Sequence, residues 1–205
     1  MSVPLRIGLI VEGHGEYEAV RMLLQRIWYE LLGGDSLDVA RPFRFPQGTL
    51  LKEEGLKQAV DTVRIKLGPD SPGGIRALIL ILLDSEGKCP RELAPRLLAW
   101  AKEARTDADI ACVLPHPMFE TWFAAAAASL AGVNGLPANL PAPDDPEGQS
   151  FGKSWLRRQL PRKYSEPVDQ PRFAARMDLA QCRARSPSFD KLCRELERRL
   201  TASRD

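Results

Sequence analysis

Two stretches of this chain, Leu5–Val11 (LRIGLIV) and Ile75–Leu83 (IRALILILL), are almost unbroken apolar runs that stop abruptly at a carboxylate near a glycine. A strand with one wet face alternates apolar and polar residues. A strand covered on both faces does not, and runs of this kind belong to parallel sheets sandwiched by helices. Between them the period changes. Tyr17–Leu32 places Val20, Leu23, Leu24, Ile27, Trp28 and Leu31 at helical spacing, and Glu53–Leu67 does the same with Leu56, Ala59, Val60, Val63 and Leu67. Pro90–Ala104 starts with a proline where a missing amide costs little, and Met118–Leu130 is an alanine-rich helix. Leu37–Phe45, closed by Pro46, and Ile110–Leu114 supply two further strands. The repeated βα order predicts an α/β, Rossmann-like fold: a mainly parallel sheet with helices on both faces. It leaves the strand order open.

Past this unit the pattern shifts. Residues 1–131 form the predicted α/β domain, and 132–152, rich in Pro, Gly and Asp, read as a long mobile loop. Residues 153–205 read as a basic helical extension packed on the same domain. Within it Lys153–Leu160 and Arg172–Ala184 look helical, and Ser188 is placed to cap a last helix over Phe189–Leu200.

At 205 residues and 44% hydrophobic content the chain has material for one well-filled core. Its apolar runs are far shorter than the roughly 20 residues that span a bilayer, and Arg6 and Glu12 bracket too short a run for a signal peptide. The expected setting is cytoplasmic, with no membrane partner. Cys89, Cys112, Cys182 and Cys193 form no CxxC pair, and only His14 and His116 are available beside them, so free thiols are expected rather than a zinc site. The net charge of +2 hides a partition: Phe151–Asp205 carries 14 basic and 7 acidic residues, while the rest carries 15 and 20.

The acids fall where chemistry is expected. In an open parallel sheet, sites form beyond the carboxyl ends of the strands. Glu12 follows the first strand, Asp84 and Glu86 follow the third, and Glu120 comes shortly after the fourth. Glu12, Asp84 and Glu86 should meet on one rim, with Glu120 close by. Gathered carboxylates raise each other's pKa unless a cation compensates. Mg²⁺ does so with one or two carboxylates, water and substrate phosphate, and Mn²⁺ is an alternative. Gly13 and Gly15 remove side chains from the turn after the first strand, which lets a phosphate approach the backbone. Glu16 lies about one turn beyond Glu12. His14 reads either as an accessory to proton transfer or metal binding, or as a local hydrogen-bonding residue.

These segments resemble the Toprim catalytic fold of topoisomerases, primases and OLD-type nucleases. The matching stretches are Ile10–Glu16 (IVEGHGE), Leu83–Glu86 (LDSE), Phe119–Phe123 (FETWF), Tyr164, Val168–Gln170 (VDQ) and Ser186–Phe189 (SPSF). Taken together, and over most of the chain, they look like the bacterial domain-of-unknown-function 4276 family, regarded as Toprim-like. The resemblance implies a Mg²⁺-dependent nuclease or related phosphodiester-cleaving enzyme, with service in phage defence or repair. Asp84 and Glu86 would hold metal, and Glu12 would act as acid/base or as a further ligand. Glu120 is a candidate ligand. Relatives sometimes work with a separate ATPase. One departure is plain: the second acid of the family's Asp-x-Asp pair is Glu86 here, one methylene longer.

Lys153, Arg157, Arg158, Arg162 and Lys163 cluster ahead of Tyr164, and Lys88 follows the acid pair. Lys153, Arg157 and Arg158 would share a helix face and, with Lys163 and Lys88, could neutralise the phosphates of DNA or RNA. A solvated face paired with the acidic body is the equal alternative. Two further readings stand beside the nuclease: a non-catalytic nucleic-acid- or partner-binding module with a degenerate metal site, and a small-molecule phosphatase built on the same rim. No GxxxxGK[ST] is present.

Overall fold

The computed structural model describes residues 5–68, 76–148 and 152–201, apart from the side chains of residues 14–16. A five-stranded sheet forms from β1 (Leu5–Val11), β2 (Leu37–Val39), β3 (Phe43–Arg44), β4 (Arg76–Leu82) and β5 (Asp109–Val113). Every pairing is parallel, and the order is β2-β1-β4-β5 with β3 also on β1. The single strand expected over Leu37–Phe45 is thus two pieces on one edge. Ala40 still donates to the Ile7 carbonyl and Phe45 to that of Val11, but Pro42 between them has no amide to give, and the ladder lapses.

Side chains alternate across the sheet. Leu78, Leu80 and Leu82 face one core, and Ala77, Ile79, Ile81 and Leu83 face the other. On the second face lie α3 (Glu53–Leu67) and α4 (Pro90–Ala104), preceded by the short α2 (Gln47–Leu50). Close packing there depends on Gly8: a Cβ at that position would sit 2.6 Å from Val63 and 2.7 Å from Leu67. The first face carries α1 (His14–Arg26), which ends in a π-helical turn at Ile27–Leu31.

That first face also takes the C-terminal helices α7 (Gly152–Gln159), α8 (Glu166–Ala174), α9 (Leu179–Arg185) and α10 (Pro187–Thr201), whose Leu156, Phe173, Cys182 and Leu196 join the core of β1 and β4. Three expectations change here. The helix predicted over Met118–Leu130 starts late and breaks into α5 (Thr121–Ala125) and α6 (Ala127–Leu130). The one predicted over Arg172–Ala184 is instead α8 and α9, because Asp178 caps a fresh helix by accepting from the Gln181 amide at 2.9 Å. The last helix begins at Pro187, capped by Ser186, whose hydroxyl accepts from the Phe189 amide at 3.1 Å; the residue expected to cap it, Ser188, lies inside the first turn.

The described part of the 132–152 segment is pinned rather than loose. Leu136 and Leu140 are buried in the main core, and Glu147 takes hydrogen bonds from Ser188 and Ser186. All four cysteines are free, with Cys89 exposed and the others buried. No helix among the described residues is long and apolar enough to cross a membrane.

Candidate functional site

The strand order fixes where a crevice can open. From β1 the chain passes to β2 on one side, while β4 lies on the other and leads away to β5. The helices that follow β1 and β4 sit on opposite faces of the sheet. The carboxyl ends of β1 and β4 are therefore a topological switch point, the place where α/β sheets hold ligands. Glu12 follows β1 directly, and Asp84 comes two residues after β4.

Asp84 is 6% exposed and its Oδ1 accepts the Phe119 amide at 2.7 Å. This ties the turn after β4 to the turn after β5. The same seam is closed by the Ser85 amide donating to Pro115 at 3.0 Å and the Glu86 amide to Pro117 at 2.9 Å. The Ser85 hydroxyl lies 2.7 Å from His116 Nδ1, which gives that histidine a definite place. Glu86 itself is exposed and adopts φ 46°, a left-handed backbone rare for a side chain of its kind, followed by Gly87 at φ 80°. Such conformations concentrate at functional turns.

Glu12 is half-buried, and one carboxylate oxygen, Oε2, is buried with no hydrogen-bond partner among the described residues. Its pKa is pushed up to about 7, first by burial and then by the negative charge of Glu86, with Lys153, Gln47 and Lys88 pulling the other way. Glu12 and Glu86 are thus close enough to feel each other, as the strand-end rule expects. Gln47 also donates to the Asp84 carbonyl at 3.4 Å. Nothing in the sequence marked this residue; it reaches the rim only because α2 follows the edge strand.

Glu120 comes directly after Phe119, whose amide holds Asp84, but it is enclosed. It is 0% exposed, at the head of α5, and its Oε1 accepts from the Tyr164 hydroxyl at 2.9 Å and from the Gln170 amide at 3.0 Å. Burial raises its pKa. The stretches around Glu120, Tyr164 and Gln170 therefore meet as one interior network. Trp122 is core, donating to Ser188 at 2.8 Å, and so draws the SPSF segment into the same assembly.

Lys153 joins the two regions. Its ammonium bonds Glu166 at 3.0 Å, and burial, which opposes the charge, is overcome by Glu120, Glu166 and Asp84, so its pKa rises. Lys153 is half-buried, whereas Arg157 and Arg158, about one turn further along α7, are exposed, as are Lys163 and Lys88. Arg162 is consumed by Asp169, at 2.6 Å. Farther along, Arg183 pairs with Asp190 and Glu197, and Arg199 with Asp109 and Glu195, so much of the basic tail is structural. The side chains of His14 and Glu16 and the surroundings of Gly15 lie outside the described residues. Gly13 follows Glu12 directly in the turn before α1.

Among the described residues no three of Asp, Glu, His and Cys form a ready-made cation cage. Mg²⁺ asks for less, one or two carboxylates with water and phosphate completing its shell. The unpartnered Oε2 of Glu12, beside the exposed Glu86, fits that smaller demand.

Fold and rim together define a parallel α/β protein with carboxylates at the switch point of its sheet. The chain belongs to the family described as Domain of unknown function (DUF4276), whose pattern matches residues 11–197. No curated protein and no solved structure matches it.

Proposed function

We propose that this protein cleaves phosphodiester bonds of nucleic acid with the help of a divalent cation, at the rim formed by Glu12, Asp84 and Glu86. The observation that carries the reading is Glu12: a carboxylate at the switch point, with one oxygen unpartnered and its pKa raised to about 7 beside a second acid. The likeness of its flanking segments to Toprim motifs supports the same chemistry. Asp84 and Glu86 would hold the ion, which leaves Glu12 beside it as the acid/base. When bound, Mg²⁺ or Mn²⁺ supplies Lewis-acid polarisation of a phosphate oxygen and lowers the pKa of water.

The chain's own groups do the rest. Glu12, poised near neutrality, takes a proton from the attacking water. Asp84 is held by the Phe119 amide, so the turn carrying Glu86 keeps its place. Lys88 and Lys153 stand near the acids, where developing negative charge on phosphate is stabilised. Arg157, Arg158 and Lys163, exposed on and after α7, follow the strand through its phosphates.

The test is cleavage of DNA and RNA by the purified protein with Mg²⁺ or Mn²⁺, against Glu12→Gln and Asp84→Ala. Loss of a catalytic acid/base should lower the rate by about 10²–10⁴. No metal-dependent cleavage that separates wild type from both variants would sink the proposal. A second reading is favoured by one observation, the Lys153 ammonium already set among Glu12, Asp84 and Glu120. It makes the protein a binding module, and it predicts nucleic-acid retention in EDTA that survives loss of Asp84.

A further inference from the structure

Next to the acid rim, between the start of α4, the end of β5 and the start of α10, lies a pocket of about 520 Å³. Its size falls within the roughly 300–1,000 Å³ of small-molecule sites. The walls are largely apolar, from Pro90, Ala94, Leu114 and Pro187. Three cations, Arg91, Lys191 and Arg194, also line it, and all three are exposed. One acid, Glu147, lines it too. Its carboxylate is already engaged by the Ser188 amide at 3.0 Å and the Ser188 hydroxyl at 2.7 Å, at the positive end of α10. Lys191 pairs with the buried Glu195 and Arg194 with Asp190 within their own helix, the second in a solvent-exposed contact that a phosphate can replace.

The pocket is joined to the rim. His116 lines it, and the His116 ring holds Ser85, the residue between the two acids Asp84 and Glu86. An apolar cleft with a cationic surround fits a base and ribose with an attached phosphate. We infer that this pocket seats one nucleotide of the substrate strand, base against the proline and leucine walls and phosphate against Arg91 and Arg194. The neighbouring phosphodiester is thereby presented to the carboxylates. This rests on the phosphodiesterase reading above and supplies its substrate contact: recognition of a nucleotide unit, not of phosphate charge alone.

Binding to metal-free protein tests the pocket apart from the chemistry. Adenosine 5′-monophosphate, adenosine and inorganic phosphate are titrated calorimetrically into wild-type protein in EDTA. The nucleotide should bind at least about tenfold more tightly than either half. Ala94→Trp fills the cleft and should weaken nucleotide binding by about tenfold or more. The double variant Arg91→Glu, Arg194→Glu, confined to exposed positions, should do the same and decides the matter if Ala94→Trp does not fold. Phosphate binding as tightly as the nucleotide, or binding indifferent to the substitutions, would overturn the inference. Cleavage of polymer without nucleotide binding overturns the pocket and leaves the rim standing. Nucleotide binding without any metal-dependent cleavage overturns the rim and leaves the pocket.

Discussion

Glu12 and Glu120 carry the same group, both have carboxyl pKa values raised by burial, and both feel the ammonium of Lys153. Their surroundings make them different reagents. Glu120 is enclosed, and two donors, Tyr164 ahead of α8 and Gln170 within it, converge on its Oε1, while its Oε2, like that of Glu12, has no hydrogen-bond partner among the described residues. Glu12 is half-exposed at a strand end, with another acid for a neighbour. A carboxylate held by phenol and amide donors inside a core organises the fold. One held beside a like charge at a crevice is unstable without a counter-ion or a proton, and that instability is useful for catalysis.

Removing the enclosed acid should have the largest effect. Glu120→Ala strands the Tyr164 hydroxyl and the Gln170 amide, buried donors that cost about 1–3 kcal/mol each when left unsatisfied, and removes a charge that favours the Lys153 ammonium. Urea denaturation measures the loss. Added Mg²⁺ should restore none of it. A loss under about 1 kcal/mol would erase the distinction between the two acids.

This contrast also marks how far the sequence could be read. β1, α3 and α4 were legible because their periodicity is local, and so were Glu12 and Asp84 at strand ends, because a parallel sheet brings such ends together. Glu120 was legible as an acid but not as an interior one. Its placement depends on Tyr164 and Gln170, which reach it only after α7 and α8 fold back. For the same reason the sequence showed Lys153 only as part of a basic helix and not as drawn toward four carboxylates. The break between α8 and α9 escaped the apolar pattern because a single capping residue, Asp178, decides it.

A smaller change sharpens the interior side. Tyr164→Phe keeps the ring and removes one of the two donors to Glu120 Oε1, so about 1–2 kcal/mol of stability should be lost. Gln170 remains to hold the carboxyl, so the loss should fall well short of that for Glu120→Ala. Cleavage by the folded variant should stay within a few-fold of wild type. A loss of activity as large as that of Glu12→Gln would place the network in the chemistry and dissolve the division between rim and interior.

The smallest effect has the opposite sign and belongs to the rim. Glu12 rises from an ordinary 4.5 to about 7 on folding. Between those values the folded protein holds a proton that the unfolded chain has released, so stability falls as pH increases through this window and levels off above it. Glu12→Gln cannot release that proton and should escape the fall. Its melting temperature relative to wild type should therefore climb from pH 4.5 to 7 and then stay flat, by no more than about 1 kcal/mol in stability once solvent screening of a half-exposed group is allowed for. Divalent cations should narrow the gap above pH 7 by stabilising the wild type more than the variant, because a cation beside an ionised Glu12 offsets its charge and binding to the folded state adds to its stability. A melting difference that is constant with pH and untouched by Mn²⁺ would make Glu12 one more structural acid like Glu120.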